Sequence, residues 1–164
     1  MAKQICIIFT AGVALILLLA FVNPAAHSQQ RFTDNGDGTI TDHRLGLMWA
    51  RADNQSDIDW EQGTAYIKDK FGTTIGKQYD NWRLPTLEEL QSLYVQNPNF
   101  KGYITDCGLL VKIVPQIRLS CVLVWASDVA LGSNIAYNFN IGDSFSVPSF
   151  DISGCRALPV RTIE

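Results

Sequence analysis

Histidine is almost missing from this chain: His27 and His43 are the two present in 164 residues. So little imidazole excludes a His-rich metal site and leaves scant room for His-based acid–base catalysis. Basic residues are scarce too. Lys and Arg total 13 against 16 Asp and Glu, a formal net charge of −3. That balance lacks the basic stripe of a nucleic-acid binder. There is no C-x-x-C pair, no phosphate-cradling glycine loop, no internal repeat and no low-complexity tract. Charged residues are only 18%, yet hydrophobic ones reach 47%, a globular balance rather than a disordered one. The length allows one domain of ordinary size.

What is present begins with a single long apolar run. Lys3 precedes it, it extends from Ile5 to Val22, and Asn23-Pro24-Ala25-Ala26-His27-Ser28 follows. A positive start, an apolar middle and small residues at Ala26 and Ser28 form a secretory signal over residues 1–28, with Gln29 opening the mature domain of 29–164. The alternative is a retained membrane anchor, since 18 residues sit at the lower edge of a spanning helix. Cys6 lies at the front of the run, not behind it, which does not match a lipid-anchored cysteine. Cleavage removes Lys3, so 12 basic residues then face the 16 acidic ones.

Three cysteines remain in the mature chain: Cys107, Cys121 and Cys155. Export implies an oxidising compartment in which a disulfide persists. Cys107 with Cys121 is the favoured pair, and that loop contributes about 3 kcal/mol in the chain-entropy model. Cys155 with either of them is the alternative. Zinc held by the three cysteines and His43 is disfavoured by their spacing.

The local pattern predicts an α+β domain. Phe32 to Asp42 alternates around Asn35-Gly36-Asp37-Gly38, which marks a hairpin. The same stretch matches the front of a calcium loop, but Thr33 and Arg44 then occupy positions where carboxylates are essential, so the turn reading prevails. Leu47 to Ala50 reads as a third strand. Asp59 caps a helix from Trp60, with Gln62 as its partner and Trp60, Thr64, Ile67 and Phe71 on the inner face. Asn81 to Leu84 reads as a short buried strand ended by Pro85. Thr86-Leu-Glu-Glu89 is a capping box opening a second helix to about Tyr94. Residues 95–120 are harder to read: Asn97-Pro98-Asn99 is a loop, and residues 107–120 mix apolar residues with Pro115 without a clean period and suggest a long loop tied by the disulfide. Val122 to Val129 reads as a buried strand around Trp125. Ile135 to Ile141 alternates, with Tyr137, Phe139 and Ile141 on one side, then turns at Gly142-Asp143 into Ser144 to Val147. Arg156 to Arg161 is a last strand whose pairing Pro159 limits.

Several blocks follow one another in a recognisable order: Phe32-Thr before the Asn/Asp-rich turn and Gly38-Thr-Ile-Thr-Asp42, then Gly46-Leu-Met-Trp49, Trp60 with Ala65, Asn81-Trp-Arg-Leu-Pro-Thr86 with Glu89-Leu90, Val124-Trp-Ala-Ser127, Phe139-Asn-Ile-Gly142 and Leu158-Pro-Val-Arg161. Across essentially the whole mature chain this resembles the C-terminal domain family of the Legionella collagen-like protein. The Gly-Leu-Met-Trp and Trp-Arg-Leu-Pro-Thr blocks are the specific ones. The resemblance implies a C-type-lectin-like fold, two short helices packed on twisted antiparallel strands and hairpins. It also implies export and a role in binding or adhesion. In the family's named member the domain is associated with glycosaminoglycans, a ligand the acidic mature chain argues against. The superfamily also includes formylglycine-generating enzymes, which carry an Arg-Leu-Pro-Thr block. Two departures stand out: Ile67 where relatives often place a cysteine, and the 103–121 stretch where a Ser/Asn-rich loop is usual.

The resemblance carries no agreed catalytic set, so candidates come from residue type. Trp125 offers a sugar-stacking face, although each of Trp49, Trp60, Trp82 and Trp125 sits in an apolar pattern that suits the core. Ser127, Asp128, Asn138 and Asn140 supply hydroxyl partners near strand ends, against a plain reading as a solvated strand face. Arg83 could hold a ligand with Glu89, but Glu89 completing the Thr86 cap is favoured, since capping alone contributes about 1 kcal/mol. No nucleophile sits beside a base, and no cofactor or metal is called for. The expected function is an exported, non-enzymatic recognition or adhesion domain with a glycan or surface protein as partner. The alternatives are an enzyme distantly related to the formylglycine-generating group, and a structural envelope protein. The intact mass of the exported chain is expected to correspond to residues 29–164; a mass retaining residues 1–28 establishes the anchor instead.

Overall fold

The computed structural model describes residues 30–75, 79–130, 132–148 and 153–163. The apolar N-terminal run lies outside the described residues. Among those described, no helix is long and apolar enough to cross a membrane.

The chain opens as expected from its turns. β1 (Phe32–Asp34) and β2 (Thr39–Asp42) pair antiparallel across the Asn-Gly-Asp-Gly turn, and β2 pairs with β3 (Leu47–Ala50). Asp37 holds that turn: its Oδ1 accepts from the Thr39 N–H at 3.1 Å and hydroxyl at 2.5 Å, and its Oδ2 from the Tyr79 hydroxyl at 3.2 Å. The Thr39 hydroxyl is the main reason that carboxyl sits below its ordinary pKa. Oδ1 therefore serves the turn, and Oδ2 ties it to Tyr79, 42 positions along the chain.

Two helices follow. α1 (Trp60–Ala65) starts where the Asp59 carboxylate accepts from the Gln62 N–H at 2.7 Å. It continues as a π-helical turn, Tyr66–Lys70, and a 3-10 turn, Phe71–Thr73. Ile67 and Phe71, four positions apart on one face, both enter the core, at 1% and 6% exposure. α2 (Leu87–Leu93) carries the full capping box: Thr86 accepts from the Glu89 N–H, and Glu89 accepts from the Thr86 N–H. Leu90 and Leu93 are its buried face. The short strand expected at 81–84 is reduced to one bridge, Arg83 with Val160.

Residues 95–120 are more ordered than their sequence suggests. β4 (Tyr103–Ile104) and β5 (Leu110–Val111) form a small hairpin. Single bridges join Tyr94 to Ile113 and Ala52 to Arg118. The disulfide joins Cys107 to Cys121, with Cα atoms 5.3 Å apart, as favoured from the sequence.

The second sheet contains β6 (Leu123–Ala130), β7 (Ser133–Asn138) and β8 (Asp143–Val147), all antiparallel, with an irregularity in β6 between Trp125 and Val129. The predicted 135–141 alternation ends early. The Asn138 carboxamide oxygen accepts from the Asn140 N–H at 2.8 Å, and this side-chain turn stops the strand. Tyr137 and Phe139 stay buried, but Ile141 turns outward at 55% exposure, against the expectation that it shares their side.

Pro159 divides the last predicted strand in two. β9 (Cys155–Arg156) lies parallel to β6, whereas the other named strands among the described residues pair antiparallel. β10 (Val160–Thr162) lies antiparallel to β3. The sheets are thus β1-β2-β3-β10 and β8-β7-β6-β9, and one segment enters both. Their facing sides share a core around Trp49, Trp125, Phe139, Ile40 and Leu158.

Two glycines separate backbone strain from crowding. Gly36 and Gly142 both have positive φ, at 76° and 78°. A Cβ on Gly36 meets nothing within 4 Å, whereas one on Gly142 lies 2.6 Å from Tyr94 Cε1. Gly36→Ala is expected to destabilise by about 1 kcal/mol through backbone strain alone. Gly142→Ala is expected to add about 1–3 kcal/mol of overpacking. Urea midpoints at unchanged m-value measure both; equal shifts contradict the Tyr94 contact.

Candidate functional site

The residues singled out from the sequence fall into three places. Trp125 is corrected first: it is 0% exposed, and its indole N–H donates to the Ile58 carbonyl at 2.8 Å. It is a core residue and offers no face to a ligand. Trp49 is likewise 0% exposed and Trp82 8%, while the half-buried Trp60 donates its N–H to the Ala126 carbonyl at 2.8 Å.

Arg83, Ser127 and Asp128 do come together, around the start of α2. Arg83 forms a two-pronged ion pair with Glu89 at 2.8 and 2.7 Å. The Ser127 N–H donates to the Pro85 carbonyl at 2.7 Å, and the Asp128 carboxylate accepts from the Leu87 N–H at 2.6 Å. Burial pushes the Glu89 carboxyl up, but the Arg83 fork and the Thr86 N–H outweigh it and hold the carboxyl below its ordinary pKa. These groups mostly serve to bind helix to sheet. Asn138 and Asn140 sit elsewhere: Asn138 pairs with Leu123, at the opposite end of β6 from Ser127 and Asp128. The Asn140 carboxamide donates to the Leu110 carbonyl at 2.7 Å and so anchors β5.

A groove not foreseen from the sequence lies beside the disulfide. After β3 the chain runs beside residues 118–120. The Arg118 N–H donates to the Arg51 carbonyl at 2.8 Å, and the Asp53 N–H to the Arg118 carbonyl at 3.3 Å. One part of the groove, about 600 Å³, is walled by Arg51, Gln55, Tyr66, Phe71, Thr74 and Arg118, among others. An adjoining part of about 170 Å³ is walled by Thr105, Asp106, Leu119 and Ser120. Ala52, Asp53, Gln55 and Arg118 line both. The Arg118 guanidinium lies 4.4 Å above the Tyr103 ring. Among the described residues it makes no ion pair. Arg51 is paired with Asp34 at 3.0 Å, but both are well exposed, so that pair is weak. The groove therefore offers a stacked cation at Arg118, a second arginine only weakly paired, the acidic Asp106, aromatic edges and amide or hydroxyl groups, a mixture suited to a polar ligand with flat or ring-shaped parts.

Its floor is a buried polar network. Asp53, with a side chain 1% exposed, accepts from the Gln55 N–H at 2.9 Å, the Ser120 N–H at 2.7 Å and the Ser120 hydroxyl at 3.0 Å. Arg156 donates to the Ser120 oxygen at 2.6 Å and reaches Asp57. Burial pushes the Asp53 carboxyl above its ordinary pKa, and the three donors with the more distant Arg156 charge offset only part of that. Gln55, whose N–H donates to Asp53, has a positive φ of 62°.

A raised folded-state pKa means that the native protein binds the Asp53 proton more tightly than the unfolded chain. That contribution to stability is complete below the unfolded value near 3.8 and is lost as pH rises through the folded value. Wild type is expected to gain stability relative to Asp53→Asn as pH falls from 7 towards 4. Denaturant titrations of the two proteins across that range measure the difference; a wild type that loses ground to the variant on acidification refutes the burial effect.

No curated protein and no solved structure matches this chain. The family model of the Lcl C-terminal domain matches residues 38–161. The matched span runs from the first hairpin turn into β10 and includes both helices, the disulfide and every residue named in the groove. On that match the chain belongs to the Lcl C-terminal domain family.

Proposed function

We propose that this protein is an exported, non-enzymatic recognition domain with an adhesive role, and that a glycan occupies the groove beside Arg118. Family membership is compatible with adhesion, and an intramolecular disulfide fits a location outside the cytoplasm. The observation that carries the glycan reading is the Arg118 guanidinium, laid on Tyr103 and lining both parts of the groove without an ion partner among the described residues. A stacked guanidinium presents its N–H edge to hydroxyl or carboxylate oxygens. Tyr66, Phe71 and Gln55 supply apolar and amide contacts next to it.

The C-type-lectin-like fold is part of the same proposal. Its support is that β1 and β10, near the two ends of the domain, share one sheet while the second sheet is formed between them in sequence. The enzyme alternative has less behind it. Cys155 is 1% exposed, and Cys107 and Cys121 are joined to each other. The Ser120 hydroxyl is buried between Asp53 and Arg156 rather than presented to solvent.

The test is a glycan panel probed with the exported protein, in calcium and again in a chelator. Wild type is expected to bind at least one glycan in both conditions. Arg118→Ala is expected to weaken it about tenfold or more, equivalent to about 1.4 kcal/mol. Arg44→Ala, on a separate surface hollow beside α2, is expected to leave it unchanged. No binding by wild type, or equal loss in both variants, sinks the groove reading and moves the weight to a surface protein or a structural envelope role.

A further inference from the structure

The disulfide stands at the rim of the groove. Thr105 and Asp106 wall it next to Cys107, and Arg118, Leu119 and Ser120 wall it next to Cys121. The two cysteines differ in access. Cys107 is exposed, whereas Cys121 is 3% exposed and lies under Gly154, where an added Cβ is 3.4 Å from its sulfur. A thiol arriving from solvent meets Cys107 first.

The surroundings of Cys107 also accommodate a free thiol. Its sulfur is 3.2 Å from the Thr105 hydroxyl, which is 2.9 Å from the Leu109 carbonyl. A disulfide sulfur carries no proton and can only accept there. A Cys107 thiol can donate to the Thr105 oxygen while Thr105 donates to Leu109, so both bonds are satisfied after reduction.

The wall at 118–120 is held by non-covalent contacts: Arg118 bonds in both directions to the 51–53 loop, and the Ser120 hydroxyl lies between Asp53 and Arg156. The Leu119 N–H donates to the Tyr103 hydroxyl at 2.6 Å, the Ser120 N–H donates to Asp53, and the Cys107 N–H donates to the Ser120 carbonyl at 3.2 Å. The S–S bond is the covalent tie between the two sides of this wall. Without it, the 105–109 turn and residues 118–120 are joined at this point by hydrogen bonds alone.

We propose that the Cys107–Cys121 disulfide is a redox latch on the groove, opened by a dithiol reductant that attacks Cys107 and frees the Arg118–Ser120 wall. Its consequence for ligand binding rests on the groove reading given above. One reductant thiolate bonds to the Cys107 sulfur, and the S–S electron pair leaves on Cys121, which takes a proton from water. The second reductant thiolate then attacks the reductant sulfur of the mixed disulfide and displaces Cys107, which takes a second proton. The reductant departs as a disulfide, and the two electrons it loses are those gained by the cystine.

The test uses the exported protein with dithiothreitol, hydrogen exchange and mass mapping. In the reduced chain the Leu119 and Ser120 amides are expected to exchange about tenfold faster or more, while Trp125 and Ala136 in the β6–β7 pair keep their protection. The Cys107→Ser/Cys121→Ser variant is expected to reproduce this without reductant. Brief treatment with glutathione is expected to leave the adduct on Cys107. Unchanged exchange at Leu119 and Ser120, general loss of protection including Trp125, or an adduct on Cys121 overturns the latch. A heparin octasaccharide and a neutral chitohexaose serve as binding probes. A probe bound by the oxidised chain is expected to bind about tenfold more weakly after reduction; unchanged affinity overturns the latch as a control of binding. An oxidised chain that binds neither counts against the groove reading, and the exchange data then judge the latch on their own.

Discussion

Backbone N–H and C=O groups in a core must all find partners, and here one extended segment meets that demand for two sheets at once. Cys155 and Arg156 pair in parallel with β6, and Val160 to Thr162 pair antiparallel with β3. Between them the Pro159 carbonyl accepts from Ala50, and Ala157 exchanges bonds with Asn54 in both directions. Pro159, with no N–H to donate, stands where the segment passes from one sheet to the other. Residues 157–160 are wholly or nearly wholly buried. The two sheets and the loop after β3 all depend on this passage.

The groove is a product of the same constraint. The 51–58 loop is held on one side by the segment through Asn54 and Ile58, and on the other by the strand-like run at 118–120. Arg156 and Asp53 close the gap beneath it through Ser120. A buried carboxylate is unfavourable unless its lone pairs are met, and three donors meet those of Asp53. That satisfaction leaves the floor polar but occupied, so the groups turned towards solvent are those of the walls. Arg118 stands out among them because its flat side is covered by Tyr103 while its edge has no ion partner among the described residues.

Local chemistry was readable where a few adjacent residues do the whole job. The Asn35-Gly36-Asp37-Gly38 hairpin and the Thr86–Glu89 box form because their partners lie within a few positions in the chain. The favoured Cys107–Cys121 pairing also stands. The reading broke down where burial and side-chain turns decide. Trp125 as a ligand platform failed because an aromatic in an apolar run enters the core, with its N–H met by Ile58. The alternation to Ile141 ended because Asn138 folds its own carboxamide onto Asn140. Arg83, Ser127 and Asp128 are neighbours, but mostly because Ser127 and Asp128 bind the start of α2 to β6 while Arg83, bridged to Val160 of β10, holds Glu89.

The α+β class, the hairpins, the helix starts and the ordered blocks that mark the family are all legible in short stretches of the chain. These follow from turn geometry, capping and periodicity, all of which act over short stretches. The division of the last strand between two sheets and the groove beside Arg118 arise only when distant segments pack together. Asp53 and Ser120 are 67 positions apart, and Tyr103 reaches Leu119 across 16. No local pattern marks a wall assembled from such distances, because its members are matched by packing and hydrogen bonding rather than by their neighbours in the chain.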